Sequence, residues 1–197
     1  MARNTLIRSL HDVGLAAWFG GTLANAVALN AASAQPRSAH DTAQVANTGW
    51  DRWTPVNAAA IGAHLIGGTG LILANRNRVA AQKGVGTMTI VKTVMTGAAL
   101  GITGYSRLLG RKMSAHPDVP VASATEPAQG TPPEIADAQK QLRVLQWVVP
   151  ALSGTVVVLG ALAGEQQRPS EVQRGLRHRI ASPRSRRGPK DLVGALQ

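Results

Sequence analysis

The chain has 197 residues, no cysteine and a formal net charge of +11, and aromatic residues make up only 3% of it. This length suits a single domain, and the absence of cysteine excludes disulfides, thiolate metal sites and cysteine nucleophiles. Because Ala, Gly, Val and Leu take the place of the aromatic residues that fill most soluble cores, the composition favours helices that approach one another closely in lipid.

Four apolar windows follow one another along the chain, at 13–32, 56–74, 85–109 and 144–163. Each is close to the ~20 residues that an α-helix needs to cross the hydrocarbon core of a bilayer. Backbone polar groups find no water there and the sequence lacks the alternation of a β-barrel, so the windows predict helices. We therefore expect an all-α integral membrane protein, a four-helix bundle over residues 1–164. For the first two windows, which are rich in Ala and Gly, buried helices of a soluble bundle are the alternative.

The first window begins just after His11 and Asp12. Asp12 at the mouth of a helix faces the positive end of the helix dipole. The two residues are therefore interpreted either as an N-terminal cap in the headgroup layer or as functional groups. Arg3 and Arg8, followed by "AASA" at 31–34, also permit a cleaved signal peptide, although the apolar stretch is long for one.

The second window carries His64 near its middle, and the stretch before it, from Gln35 to Thr54, is predicted to be a short external loop. Trp50 and Trp53, just before the window, suit an aromatic belt at the lipid–water boundary. An ionisable side chain at membrane depth is a functional hypothesis by default. The structural alternative for His64 is a neutral imidazole that a neighbouring backbone or Asn side chain satisfies.

The third and fourth windows carry pairs of glycines at GxxxG spacing, which lets two membrane helices meet backbone to backbone. These helix-packing candidates are Gly97 and Gly101 in the third window and Gly160 and Gly164 in the fourth. Lys92 is the charged residue inside the third window. It is interpreted either as a functional cation or as a side chain whose stem reaches the headgroups.

Two segments outside the windows are polar. Residues 114–138 hold five prolines and no Lys or Arg, which predicts a flexible external loop. Residues 165–197 form a basic tail, predicted to be cytoplasmic and partly disordered, whose amphipathic first half suits an anionic lipid surface. The lipid-contacting candidates are Arg174, Arg177, Arg179, Arg186 and Arg187. Nucleic acid is the competing partner for such a patch, and no recognised nucleic-acid-binding fold accompanies it.

The distribution of Lys and Arg predicts the orientation of the chain. With the N-terminus inside, 13 basic residues belong to the cytoplasmic pieces and 7 to the external pieces. The positive-inside rule therefore favours a plasma-membrane protein with both termini in the cytoplasm.

Two stretches resemble known membrane-protein families. "HDVGLAAWFGG", which begins at His11, is similar to the opening helix of copper-resistance-D-type proteins and of HemJ-type protoporphyrinogen oxidases, where a His is followed by small residues, a Trp and Gly. "VKTVMTGAALGITGYSRLLGRK" resembles a later HemJ-type helix that carries a Lys, a Tyr and an Arg. The resemblance implies a four-helix membrane protein in which His11 ligates haem and Lys92 assists redox chemistry on a porphyrin.

Three functions remain open at this point. The leading prediction is a non-enzymatic subunit or scaffold without catalytic residues, metal or cofactor, which packs on itself or on a larger complex and contacts anionic lipid. A haem-linked oxidoreductase using His11 with His64 or Lys92 is the first alternative. The positions of the two histidines in their windows predict depths that differ by roughly 10 Å, which disfavours a shared haem. A small oligomeric transporter with His64 and Lys92 along a polar path is the second.

Overall fold

The computed structural model describes residues 4–35, 38–81 and 83–165. Its helices are α1 (Thr5–Ala24), α2 (Asn30–Ala32), α3 (Ala39–Ala74), α4 (Arg76–Ala81), α5 (Lys83–Ser114) and α6 (Pro133–Glu165), and a π-helical segment, Asn25–Leu29, joins α1 to α2. Strands β1 (Val121–Ser123) and β2 (Glu126–Pro127) form an antiparallel hairpin between α5 and α6. The predicted all-α class is confirmed, with this hairpin as a small addition.

Four helical stretches are long and apolar enough to cross a membrane: Thr5–Ala32, Asp41–Ala74, Gly84–Ser114 and Pro133–Glu165. They contain the four predicted windows and extend beyond them. The longest helix, α3, has 36 residues and is therefore about 54 Å long at ~1.5 Å per residue. Because bilayer hydrocarbon is only about 30 Å thick, α3 is longer than one crossing requires.

The stretch from Gln35 to Thr54, predicted as an external loop, is mostly the first half of α3. Ser38 caps this helix, since its hydroxyl accepts a hydrogen bond of 3.1 Å from the backbone N–H of Asp41. The carboxylate of Asp41 in the first turn also suits the positive end of the helix dipole. The prediction was wrong because it followed hydropathy, and a polar helix has the hydropathy of a loop.

Residues 114–138, predicted as a flexible loop, fold against the helices through the β1–β2 hairpin. Four of them are buried in the hairpin region: Val121, Ser123, Ala124 and Thr125. The prediction rested on proline content, and prolines are tolerated at the ends and edges of short strands. Burial of these side chains contradicts a flexible loop.

Two buried polar side chains attach the hairpin to the helices. Gln139 of α6 is fully buried, and its Nε2 donates to the carbonyl oxygens of Ser123 at 3.0 Å and Glu126 at 3.1 Å. Ser33, which follows α2, accepts a hydrogen bond of 3.1 Å at its hydroxyl from the backbone N–H of Ala124. The hairpin is thus held by both the first and the last long helical stretches.

The core takes residues from all four long helices. Its buried members are Leu15 and Trp18 of α1, Ala60 of α3, Ala99 of α5, and Val149 and Val156 of α6. Trp18 is the one aromatic residue among them, and the rest are aliphatic, with alanine on α3 and α5. Small residues at these positions let the helix backbones lie close together.

The chain divides into two compact units, Met1–Gly160 and Ala161–Gln197, whereas the sequence analysis placed the boundary after residue 164. The side-chain contacts described below belong to the first unit. The predicted lipid-contacting arginines lie outside the described residues: Arg174, Arg177, Arg179, Arg186 and Arg187.

Candidate functional site

Helices α1 and α3 carry the same short motif, a histidine followed three residues later by a glycine. The motif is His11 with Gly14 on α1 and His64 with Gly67 on α3. A Cβ added to Gly14 would lie 2.6 Å from the backbone nitrogen of His64, and one added to Gly67 would lie 2.6 Å from the carbonyl oxygen of Ile7. Neither position has room for a side chain, so glycine permits the two antiparallel helices to cross here in backbone contact.

The close crossing stacks the two imidazole rings. Their centroids lie 4.2 Å apart and their planes differ by 19°. The Nδ1 atom of His11 donates to the carbonyl oxygen of His64 at 3.3 Å, and the Nδ1 atom of His64 donates to the carbonyl oxygen of His11 at 3.1 Å. Since a carbonyl oxygen only accepts, both Nδ1 atoms carry a proton in this arrangement. We call this reciprocal pair of His11 and His64 the histidine clasp.

The histidine clasp corrects two predictions. His11 is not an N-terminal cap, because α1 begins at Thr5 and the imidazole is buried, 9% exposed. The two histidines also do not differ in depth by roughly 10 Å, an error that arose from counting residues from the edges of apolar windows rather than of helices. For His64, the neighbouring backbone group that satisfies the imidazole is the carbonyl of His11.

Lys92 lies on the face of α5 that is turned toward the other helices. Its Nζ atom would be 3.7 Å from a Cβ added to Gly160 of α6, and its charge is close enough to act on both imidazoles, as is that of Asp12. The structure therefore brings His11, His64 and Lys92 into one region, near the end of the molecule where α1 begins and α3 ends.

The histidine clasp does not fit haem ligation by both of its members. Two axial ligands bind the iron from opposite faces of the porphyrin, which then separates their rings, whereas the rings of His11 and His64 stack directly on each other. Among residues 4–35, 38–81 and 83–165, no group of three or more His, Asp or Glu side chains is placed to hold a metal ion.

An apolar layer covers the clasp on the side toward the hairpin. Trp18 is fully buried, and its ring lies 6.2 Å from that of His64, measured between centroids. Leu15, Ala60 and Ala99 pack in the same cluster. This layer separates the clasp and Lys92 from the polar residues farther along the helices.

A cavity of about 240 Å³ lies beyond that layer. All four long helices and the hairpin contribute to its wall, as does Asn30 of α2. Trp50 and Trp53, predicted at the lipid–water boundary, both line it. Arg107 of α5 also lines it and forms an ion pair of 3.1 Å with Asp51.

Asn30 joins three parts of the molecule beside this cavity. Its Oδ1 accepts a hydrogen bond of 3.1 Å from the indole N–H of Trp50, and its Nδ2 donates to Oε1 of Gln146 at 2.6 Å. The π-helical segment just before Asn30 changes which way the following residues face. The sequence analysis missed this amide as a site residue, although an amide inside an apolar window was an available signal.

Four polar atoms of residues that line the cavity have no hydrogen-bond partner among the described residues. They are Nε1 of Trp53, Oδ1 of Asn57, Oγ1 of Thr103 and Oγ of Ser106. A buried polar atom left without a partner costs about 1–3 kcal/mol. Trp53 and Asn57 lie one turn apart on α3, and Thr103 and Ser106 lie one turn apart on α5. The unsatisfied polar atoms are therefore concentrated on two stretches of the wall.

The predicted helix-packing glycines have open surroundings. A Cβ added to Gly97, Gly101 or Gly164 would meet no heavy atom of the described residues within 4 Å, and one added to Gly160 would meet only Nζ of Lys92. Gly97 and Gly101 are exposed on α5. Within the described chain, the tightest backbone contacts are made instead by the glycines of the two histidine–glycine motifs.

No protein-family model matches the chain, and neither a curated protein nor a solved structure matches it. The resemblance to the copper-resistance-D-type and HemJ-type proteins therefore rests on the two quoted stretches alone. The function has to be argued from the contacts of the chain itself.

Proposed function

We propose that the chain is a non-enzymatic subunit of the plasma membrane that assembles with a second copy of itself through α5. Its four long helices cross the membrane as a bundle, both termini are cytoplasmic, and anionic lipid surrounds the cytoplasmic face. The observation that carries the proposal is an uncovered apolar stripe on α5.

The outward stripe of α5 consists of Ile90, Val94, Gly97, Gly101 and Leu108. All five are exposed, with Ile90, Val94 and Leu108 more than 60% accessible. They recur at steps of three, four and seven residues, the spacing of a helix–helix seam. Only 6% of the apolar window of α5 is buried, against 22–28% for the other three helices. The described chain thus leaves this seam without a partner.

A second copy of the chain suits the outward stripe. The two glycines at its centre allow close backbone approach, and the larger apolar residues toward its ends pack around them. Because the same stripe is present on both copies, a two-fold axis makes the surface complementary to itself. Ala99, on the opposite face of α5, is fully buried in the core, so the stripe cannot turn inward in its place.

The exposed surface of the helices supports a lipid environment. Large apolar side chains stand out from every long helix, among them Leu6 at 73% and Ile66 at 68% exposure. Extended apolar surface of this kind is unfavourable in water, whereas helices with satisfied backbones are stable in bilayer hydrocarbon. The excess of Lys and Arg at the predicted cytoplasmic pieces supports the orientation.

Disulfide cross-linking in native membranes tests the assembly, since the chain contains no cysteine of its own. We expect Val94→Cys, on the outward stripe, to form a covalent dimer on oxidation. Ile66→Cys is the matched control: it is equally exposed on α3 and should stay monomeric.

A steric variant makes the same test independent of oxidation. Gly101→Ile should reduce cross-linking at Val94→Cys, because the added side chain separates the two backbones. Gly20→Ile should not, since Gly20 is an exposed glycine on α1 that likewise has no heavy atom of the described chain within 4 Å of an added Cβ. Equal cross-linking at both cysteine positions, or an unchanged yield in Gly101→Ile, would contradict assembly through α5.

A small transporter is the second candidate, because the structure brings His11, His64 and Lys92 together. In that case the three residues belong to a polar path, and the apolar layer at Trp18 has to open during transport. Flux into proteoliposomes that depends on pH and is lost in His64→Ala would favour transport over the subunit role.

A further inference from the structure

The cavity at the hairpin end has a mainly apolar wall. Its large apolar side chains come from three long helices and include Ile61 of α3, Met113 of α5, and Leu142, Leu145 and Val149 of α6. A cavity of about 240 Å³ with this lining favours an occupant that is mostly apolar, because ligand sites are lined mainly by apolar side chains with a few polar groups.

Four polar atoms buried within side chains of the same wall are unsatisfied. Trp53 supplies an indole N–H donor, Asn57 a carbonyl acceptor, and Thr103 and Ser106 supply hydroxyls that both donate and accept. None of these four atoms has a partner among the described residues. A Ser or Thr hydroxyl turns about one side-chain bond, so a polar group in the cavity can be met from α5 as well as from α3. The occupant that satisfies this wall both donates and accepts hydrogen bonds.

The charge around the cavity favours a neutral occupant. Arg107 is the charged residue among the described lining residues, and its guanidinium is already paired with the carboxylate of Asp51 at 3.1 Å. An anion would have to compete with Asp51 for this single cation, and a cation would find no unpaired carboxylate in the wall.

We infer that the cavity binds a small, neutral, amphipathic molecule with an apolar body and a single hydrogen-bonding head, an alcohol or amide in chemical class. The apolar body occupies the side lined by α6, and the head meets Trp53, Asn57, Thr103 and Ser106. Gly104 is exposed and also lines the cavity, so the cavity reaches the surface of α5. The molecule enters either from the lipid or from the aqueous phase at the hairpin end.

This inference is independent of the proposed dimer. None of the five residues of the outward stripe lines the cavity. Among the lining residues of α5, Thr103, Ser106 and Gly110 lie away from the stripe, and Gly104 lies beside it. Loss of dimer formation and loss of ligand binding are therefore separable outcomes.

Tryptophan fluorescence of the full chain in lipid nanodiscs tests the inference. Trp50 and Trp53 line the cavity, and Trp147→Phe removes an exposed indole on α6. The probe is 6-bromohexan-1-ol, whose bromine quenches a nearby indole. We expect saturable quenching that hexan-1-ol reverses by competition, and a Kd about tenfold higher for 1-bromohexane, which lacks the hydroxyl. Quenching that rises linearly with probe concentration would overturn the inference.

Two arms distinguish the sources of the ligand. In one, 6-bromohexan-1-ol is added to the water; in the other, 12-bromododecan-1-ol is incorporated into the bilayer before reconstitution. Saturation by the short alcohol alone indicates entry from water, and saturation by the long alcohol indicates entry from lipid. Saturation in neither arm contradicts the site.

Two variants and one control locate the site. Gly110→Leu fills the cavity, because Gly110 lines it and an added Cβ meets no heavy atom of the described chain within 4 Å; it should abolish saturable quenching. Gly20→Leu, equally unhindered on α1, should retain it. Asn57→Leu should keep binding but remove the preference for the alcohol over 1-bromohexane. Unchanged saturation in Gly110→Leu, with helicity intact by circular dichroism, would place the probe elsewhere.

Discussion

At the scale of single residues, the histidine clasp explains why "HDVG" stands in an otherwise apolar helix. The imidazole of His11 lies at the crossing of α1 and α3, and the backbone carbonyl of His11 accepts a hydrogen bond from Nδ1 of His64. The glycine three residues later gives the partner histidine the room it needs. The polar pair is thereby satisfied without water, which is the condition for burying such groups. The histidine of each motif donates a hydrogen bond to the other helix, and the glycine of each motif lets the backbone of the other helix approach.

The glycines of these motifs are expected to be intolerant of a methyl group. In Gly67→Ala the added Cβ collides with backbone atoms of α1 around Ile7 and His11, and backbone cannot yield as a flexible side chain does. Such overpacking costs about 1–3 kcal/mol, which should appear as a lower unfolding midpoint in detergent. Gly62→Ala is the control on the same helix, where an added Cβ meets no heavy atom of the described residues within 4 Å. Equal midpoints for the two variants would contradict the close crossing.

The two histidines should be energetically coupled. His11→Ala removes the donor to one carbonyl and the ring that stacks on His64, and His64→Ala removes the converse contacts. A double-mutant cycle on the free energy of unfolding should therefore give a coupling of about 0.5–3 kcal/mol, the range for residues in contact. Additive effects of the two substitutions would show that the two rings do not contact each other.

The three ionisable residues of the clasp region could be found from the sequence, but their arrangement could not. His11, His64 and Lys92 stand out because ionisable groups in apolar windows are rare. Whether the three residues lie at the same level depends on where each helix begins. A hydropathy profile does not show the first residue of a helix when the first turn contains polar residues. Asn30 was missed because an amide only weakens an apolar window, and nothing local shows that Gln146 will lie opposite it.

At the scale of elements, the hairpin shows how tertiary contacts override composition. The segment that was predicted to be flexible is rich in proline. It is nevertheless ordered, because Gln139 of α6, which lies outside the hairpin, donates two hydrogen bonds to it. These hydrogen bonds link residues 16 and 13 positions apart. Contacts of this kind do not produce a periodic pattern in the sequence, so they could not be predicted from it. The helices themselves could be predicted, since four apolar windows dominate any hydropathy profile.

Gln139 is expected to control access of proteases to the hairpin. Gln139→Leu removes both hydrogen bonds, each contributing about 0.5–1.5 kcal/mol, and a change of ~1 kcal/mol raises the open population about fivefold. Proteinase K should therefore cut between α5 and α6 several times faster than in the unsubstituted chain. Lys140→Met is the control, since it loses only an exposed ion pair with Asp137, which contributes little. Identical cleavage rates for the two variants would contradict the role of Gln139.

At the scale of the whole molecule, the two ends are built differently. Within the described residues, four ion pairs all lie at the hairpin end: Arg107–Asp51, Lys112–Glu134, Lys140–Asp137 and Arg143–Glu126. The cavity and the first half of α3 belong to the same end. The opposite end holds the histidine clasp, Lys92 and the arginines of α4. An apolar layer centred on Trp18 separates the two, so the molecule has one polar site toward each side of the proposed membrane.

The proposed orientation of these ends across a membrane is open to a direct test, because the chain has no cysteine to interfere. Gln129→Cys places a thiol at an exposed position between β2 and α6, and Asn77→Cys places one at an exposed position on α4. With both termini in the cytoplasm, a membrane-impermeant maleimide should label Gln129→Cys in intact cells and Asn77→Cys only after permeabilisation. Both positions are exposed, so a difference in labelling reports sidedness rather than burial. Labelling of Asn77→Cys alone in intact cells would invert the topology, and labelling of both without permeabilisation would show that the helices do not cross a membrane.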